Sequence, residues 1–192
     1  MRLARNLFAI FGVLCLLAIG YGAARLAPIL ATFDPGAPRV YAEFGQRLLA
    51  TGDPGMAMMW SVPVEDGLDA EEVVDSLKSL AVSNNLLFVG ESPFYQQIEA
   101  ITGEPYRYVN FLSFCDARVG RQMLEHRNEY SGFMPCRIAL VEDAEGGLHL
   151  YSMNLDLLIH GGTPLPPELE QSATRVRDII WSIMQGAAVG EF

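Results

Sequence analysis

The chain has 192 residues, 51% of them hydrophobic, a mean hydropathy of +0.21 and a formal net charge of -10. With 19% charged and 10% aromatic residues the composition argues against intrinsic disorder, and the acid excess argues against a nucleic-acid surface, because phosphate binding needs clustered Lys and Arg. The charge is uneven: residues 1–33 hold Arg2, Arg5 and Arg25 and no acid, so the total of -10 conceals -13 from residue 34 onward.

From Leu7 to Ala24 there are 18 consecutive uncharged residues, about the minimum for crossing a hydrocarbon core that takes roughly 20 helical residues. Arg25 can snorkel, and apolar character resumes through Leu26, Ile29 and Leu30. Arg2 and Arg5 precede the stretch, so the positive-inside rule puts the amino terminus in the cytoplasm and the rest of the chain across the membrane. A cleaved signal peptide is the competing reading, with Gly22-Ala23-Ala24 as its small residues. The apolar run is longer than the usual signal core of about 7 to 15 residues, which favours a retained anchor. The expectation is a single-pass protein of a bacterial inner membrane with its carboxy-terminal domain in the periplasm. Its partners would be the lipid bilayer and a membrane complex, with no nucleic acid.

Three regions are expected: an anchor over 1–33, a membrane-proximal helix or linker over 34–55, and an exported domain over 56–192. Asp34-Pro35-Gly36 and Asp53-Pro54-Gly55 read as turns that bracket a helix with Val40, Tyr41, Phe44, Leu48 and Leu49 on one side. Ala57 to Val64 reads as a strand. Asp69 is placed to cap a helix through Val73, Val74, Leu77 and Leu80, with Glu71 and Glu72 in its first turn. Residues 86–90 are expected to form a short buried strand, 93–102 a helix closed by Gly103, and 107–114 a strand. Asp116 caps a helix running to Arg127. Residues 133–142 and 148–153 make a hairpin across Asp143 to Gly147. Asn154 caps a short helix with Asp156 in its first turn and Gly161 at its end. The last helix starts at Pro167, buries Leu169, Ala173, Val176, Ile180 and Ile183, and stops near Gly186. The pattern predicts an α/β (α+β) two-layer sandwich, a mixed or antiparallel sheet with helices on one face, preceded by one transmembrane helix.

No dinucleotide or phosphate loop, Cys-x-x-Cys or His-Glu-x-x-His is present, and Gly90-Glu91-Ser92-Pro93-Phe94 lacks the final glycine of a nucleophile elbow. The chemistry-bearing candidates are Cys115, Cys136 and His160. A parallel strand-helix-strand crossover would hold the two cysteines roughly 17 to 20 Å apart, against the span of about 4.4 to 6.8 Å that a disulfide tolerates. The loop from Asn128 to Met134 can bring the chain back and restore proximity. A disulfide, two buried structural thiols, and a functional thiol or metal ligand all remain open. His160 suits a helix carboxy terminus and is also a candidate ligand or proton carrier. Met56, Met58 and Met59 would open the first strand, with Met56 and Met58 on one face; core filling is the commoner use of such methionines, Cu(I) binding the rarer.

Phe114-Cys115-Asp116-Ala117, followed about twenty residues later by Met134-Pro135-Cys136-Arg137-Ile138 and the Val141-Glu142-Asp143 turn, resembles the domain of unknown function 302 family. The likeness covers roughly residues 62–162, with the anchor, the 34–55 segment and the helix over 167–185 as additions. It implies a small two-layer α/β domain with no established activity. The family's first motif commonly reads Cys-Asn-Pro, and Asp116 and Ala117 stand in the last two places here. Arg137 and Asp156 complete the candidate set beside Cys115, Cys136 and His160. No catalytic constellation is recognisable, so the expectation is an accessory module that binds a ligand or partner rather than an enzyme. The alternative is a thiol or metal site of Cys115, Cys136 and His160 serving redox, sulfur or metal handling; the cofactor is undetermined.

Overall fold

The computed structural model describes residues 2–192, and for residues 2–5 and 7 the backbone only. The side chains of Arg2 and Arg5, on which the expected orientation rests, therefore lie outside the described residues. The first helix, α1, runs Arg2–Leu30. Its stretch Phe8–Leu30 is 23 residues long with hydropathy 1.9, apolar enough to cross a membrane, and none of it is buried against the rest of the chain.

The second helix, α2, spans Ala37–Thr51 and buries Ala37 and Val40. Leu49, expected on the same side as Leu48, is exposed. Adjacent residues stand about 100° apart on a helix, so a narrow contact stripe takes only one of them. Asp53-Pro54-Gly55 begins a short helix, α3 (Pro54–Met58), rather than a turn: the Asp53 carboxylate accepts a hydrogen bond from the Met56 amide at 2.8 Å, and Pro54 supplies a helical φ. The first strand, β1, therefore starts at Met59 and runs to Pro63. Met56 and Met58 are helical and do not share a strand face, which removes the geometry of the methionine pair.

The remaining elements are α4 (Ala70–Ser83), β2 (Leu87–Pro93), α5 (Phe94–Thr102), β3 (Val109–Cys115), α6 (Ala117–His126), a 3-10 segment (Asn128–Phe133), β4 (Cys136–Glu142), β5 (Leu148–Met153), α7 (Asp156–His160) and α8 (Pro167–Ala188). Both predicted aspartate caps are present. Asp69 and Glu72 form a reciprocal capping box on α4, and Asp116 accepts from the amides of Arg118 and Val119 on α6.

All five strands are antiparallel, in the order β1-β5-β4-β3-β2. One face carries Leu112, Phe114, Ile138, Leu140 and Leu150, all fully buried beneath α4 and α8, which bring Val73, Leu77, Ile180, Ile183 and Met184. Trp60 and Trp181 meet there with ring centroids 5.2 Å apart. Each such side chain contributes about 1.5–3 kcal/mol by leaving water, so this layer dominates the stability of the domain. The opposite face is open. Phe111, Arg137, Ala139 and Tyr151 line a shallow groove of about 400 Å³ there. The outer strands differ: β2 shifts register between Phe88 and Gly90 and ends at Pro93, whereas β1 is regular but short and ends at Pro63.

The parallel crossover considered for Cys115 and Cys136 does not occur. Helix α6 has only 10 residues, and the 3-10 segment turns the chain back at the end of the sheet it had just left. Strand β4 then runs antiparallel to β3, with Phe114 paired to Cys136. The two cysteines occupy neighbouring rungs instead of opposite ends.

Candidate functional site

Cys115 closes β3 and Cys136 opens β4, and both reach a cavity of about 60 Å³ under α6. Its walls are otherwise mostly apolar, with Val119 and Met123 from α6, Leu158 and Ile159 from α7, and Val176 from α8; Asp116 and Tyr130 also border it. The cysteines are free thiols, each half-buried, so the disulfide reading does not hold. Burial pushes the Cys115 thiol up, and the neighbouring Asp116 carboxylate adds to the effect. Burial pushes Cys136 further, up to about 11, with Cys115 contributing. Both are therefore protonated at neutral pH. A protonated thiol is a weak nucleophile and must lose its proton before it can bind a metal, so this environment works against thiolate chemistry.

Asp116, between the cavity and α6, has its buried carboxylate held by the two cap amides and by the Arg175 guanidinium at 3.1 Å. The helix amides that would otherwise favour a Cys115 thiolate are thus committed to Asp116.

The other candidates lie elsewhere. His160 does not line the cavity. Its Nδ1 is 3.3 Å from Asp34 Oδ1 and 3.9 Å from Glu170 Oε1. The donor atoms of Asp34, His160 and Glu170 all lie within 4.8 Å of one another, a spacing at which a metal ion can be held. Asp156 accepts from Arg177 Nη1 at 2.6 Å and ties α7 to α8. Burial opposes the charge on Arg177, but Asp156 and Asp178 outweigh it and raise its pKa. Arg137 stands on the open face with its guanidinium 5.4 Å from the centre of the Phe111 ring. The structure thus brings Cys115 and Cys136 together and separates them from His160, Asp156 and Arg137.

Sequence reasoning missed two polar groups. Asp34 read only as a turn residue, because its partners lie far along the chain. Asn110 is 1% exposed and donates from Nδ2 to Glu91 Oε1 at 2.7 Å and to Tyr108 Oη at 3.1 Å, while Lys78 Nζ lies 2.8 Å from Glu91 Oε2. Burial is the largest single influence on Glu91 and opposes its charge, but Lys78 and Asn110 together hold its carboxyl below the usual range. Tyr108 is pushed up, chiefly by burial. The Asn110 Oδ1 atom is buried without a hydrogen bond among the described residues, which costs about 1–3 kcal/mol. The available signal was an Asn in step with Leu112 and Phe114, on the register that faces the core.

Fold and site together define a two-layer α/β sandwich that carries a thiol-lined apolar cavity and follows an apolar helix. The family described as domain of unknown function DUF302 matches residues 60–187, most of the chain, and the chain belongs to that family. The matched region takes in α8, which the motif resemblance had set outside the core, and it leaves out Asp34. The crystal structure of an uncharacterized conserved DUF302 protein from Bacillus stearothermophilus is similar at 12% sequence identity and a TM-score of 0.56, covering 67% of this chain and 96% of that one. At that identity the likeness concerns the fold alone. No curated protein matches the chain in sequence.

Proposed function

We propose that this protein is a membrane-tethered binding module of the bacterial periplasm whose ligand site is the cavity between Cys115, Cys136, α6 and α7. The observation that carries the reading is the pairing of two protonated thiols with mostly apolar walls, Asp116 being tied up by its cap amides and Arg175. Such a lining takes up a small, largely apolar group, with weak S–H donors and Tyr130 at its border. It favours binding over the thiol or metal alternative, because both thiols are held neutral and His160 is engaged with Asp34 and Glu170. Tethering is supported by the 23-residue span, about 35 Å long at 1.5 Å per residue, with no part buried in the domain. The arginines ahead of it support an outward-facing domain.

The binding reading is tested with xenon as the probe on the full chain in lipid nanodiscs, followed by methyl NMR. Saturable shifts confined to Val119, Leu158, Ile159 and Val176, and abolished in a cavity-filling Gly120→Leu variant, are expected. Unchanged methyl signals in the unsubstituted protein would overturn it. Topology is read separately: a carboxy-terminal alkaline phosphatase fusion should be active, and an inactive one would place the domain in the cytoplasm.

A further inference from the structure

We infer that Asp34, His160 and Glu170 form a binding site for a divalent transition-metal ion such as Zn²⁺, and that the ion clamps the segment after α1 onto the domain. The three donors come from separate parts of the chain: the link between α1 and α2, the carboxy-terminal end of α7, and the first turn of α8. An imidazole with two carboxylates is a donor set that borderline cations accept.

Geometry supports the assignment. Zinc holds nitrogen and oxygen ligands at roughly 2.0–2.2 Å, so tetrahedral donors stand roughly 3.3 Å apart. The His160 to Asp34 separation is already 3.3 Å, and that from His160 to Glu170 is 3.9 Å. The excess is on the Glu170 side, where the side chain is 36% exposed and free to close. Asp34 is held in place beforehand. Its Oδ1 accepts from the Gly36 amide at 2.7 Å, and its own amide donates to the Gly162 carbonyl at 2.7 Å. Such outer hydrogen bonds orient a metal ligand. Tyr41 Oη donates to the Gly161 carbonyl at 2.8 Å and fastens α2 to the same corner. The backbone at Gly36 approaches so closely that a Cβ there would lie 2.9 Å from Asp34 Oδ1 and 3.4 Å from His160 Cβ.

Charge is the second, independent argument. Two carboxylates lie within 4.8 Å of one another, Asp34 is only 5% exposed, and among the described residues no lysine or arginine pairs with either. Like charges at that range repel, and a divalent cation held between the two carboxylates would balance them. Three protein ligands and a solvent-facing Glu170 leave a further position for water. Asp34 lies outside the family-matched region while His160 and Glu170 lie within it, so the ion would join the added segment to the shared domain.

The test is titration of the metal-free full chain, purified in detergent, with Zn²⁺ by calorimetry and with Co²⁺ by visible spectroscopy. One ion per chain is expected, with cobalt d–d bands of low coordination number and no thiolate charge-transfer band. His160→Gln and Glu170→Gln should each weaken binding about tenfold or more. The Cys115→Ser/Cys136→Ser double variant should bind as the unsubstituted chain does. Glu170 is on the surface, so its variant separates ligand loss from misfolding. Zn²⁺ should also slow proteolysis of residues 31–36 in the unsubstituted chain and leave Glu170→Gln unaffected. Failure to bind Zn²⁺, binding unchanged in Glu170→Gln, or binding lost in the double cysteine variant would each overturn the site and leave an ordinary His160–Asp34 ion pair.

Discussion

Helix α7 separates two regions that treat their titratable groups in opposite ways. On one side Leu158 and Ile159 close the cavity, where Cys115 and Cys136 sit half-buried and, among the described residues, pair with no cation. On the other, the next residue, His160, meets Asp34 and Glu170 at a corner bounded by backbone hydrogen bonds. Burial, helped by Asp116 beside Cys115, drives the thiols to their neutral form, whereas the carboxylates of Asp34 and Glu170 have an imidazole within reach. The comparison teaches that proximity along the chain is a poor guide to shared chemistry: one helix of five residues contributes its walls to one site and its terminal ring to another.

The largest effect that separates the two regions is expected from Ile159→Ala. Ile159 is 2% exposed, and its truncation should destabilise the domain by about 2–5 kcal/mol, read from the urea midpoint. If the thiol cavity and the charged corner are independent, Glu170→Gln should leave that midpoint within about 0.5 kcal/mol, as exposed positions usually do. A comparable loss in both variants would show that they act as one unit.

A smaller effect is expected from Asp116→Asn, which keeps a capping side chain but removes its charge beside Cys115. The destabilisation should be about 1 kcal/mol, because Asn also caps well and Arg175, its ionic partner, is largely exposed. The sharper signal is chemical. Asp116 raises the Cys115 pKa, so the pH midpoint for maleimide labelling of Cys115 in a Cys136→Ser background should move down when the charge is removed. An unmoved midpoint would mean that burial alone sets this thiol.

The last effect vanishes at neutral pH and is read as a slope. The Cys136 pKa rises from 9.0 to about 11 on folding, so between those values the unfolded chain has released a proton that the folded chain retains. Protons then favour the native state, and stability should be flat below about pH 8.5 and decline from there to about pH 11. Cys136→Ser should flatten that decline in urea midpoints measured across the range. An equal decline in the variant would assign it to other groups.

Much of the fold was legible because local chemistry agreed with the final structure. Asp69 with Glu72 and Asp116 announced helix starts, and Asp143 to Gly147 announced the β4–β5 hairpin. What escaped was pairing. Alternation in β3 and β4 specifies which side chains face the core but not whether the strands run together or against one another, and that choice decides whether Cys115 and Cys136 meet. Asp34 escaped for a related reason: its partners are set by how the last two helices return to the start of the domain, which no local spacing encodes. The methionines misled because Asp53-Pro54-Gly55 serves equally as a turn and as a helix start.

The two outer strands, one kinked and one short, carry a consequence for crowding. A regular free edge invites another molecule to add a strand and begin a polymer. Here the register shift at Phe88 and Gly90 puts a kink in one border of the sheet, Pro93 withholds an amide at its end, and on the far border a strand of only five residues stops at Pro63, with Arg47 donating to the Met59 carbonyl. Molecules packed side by side therefore find only a short straight ladder to extend, and the fold resists fibre growth through the shape of its borders.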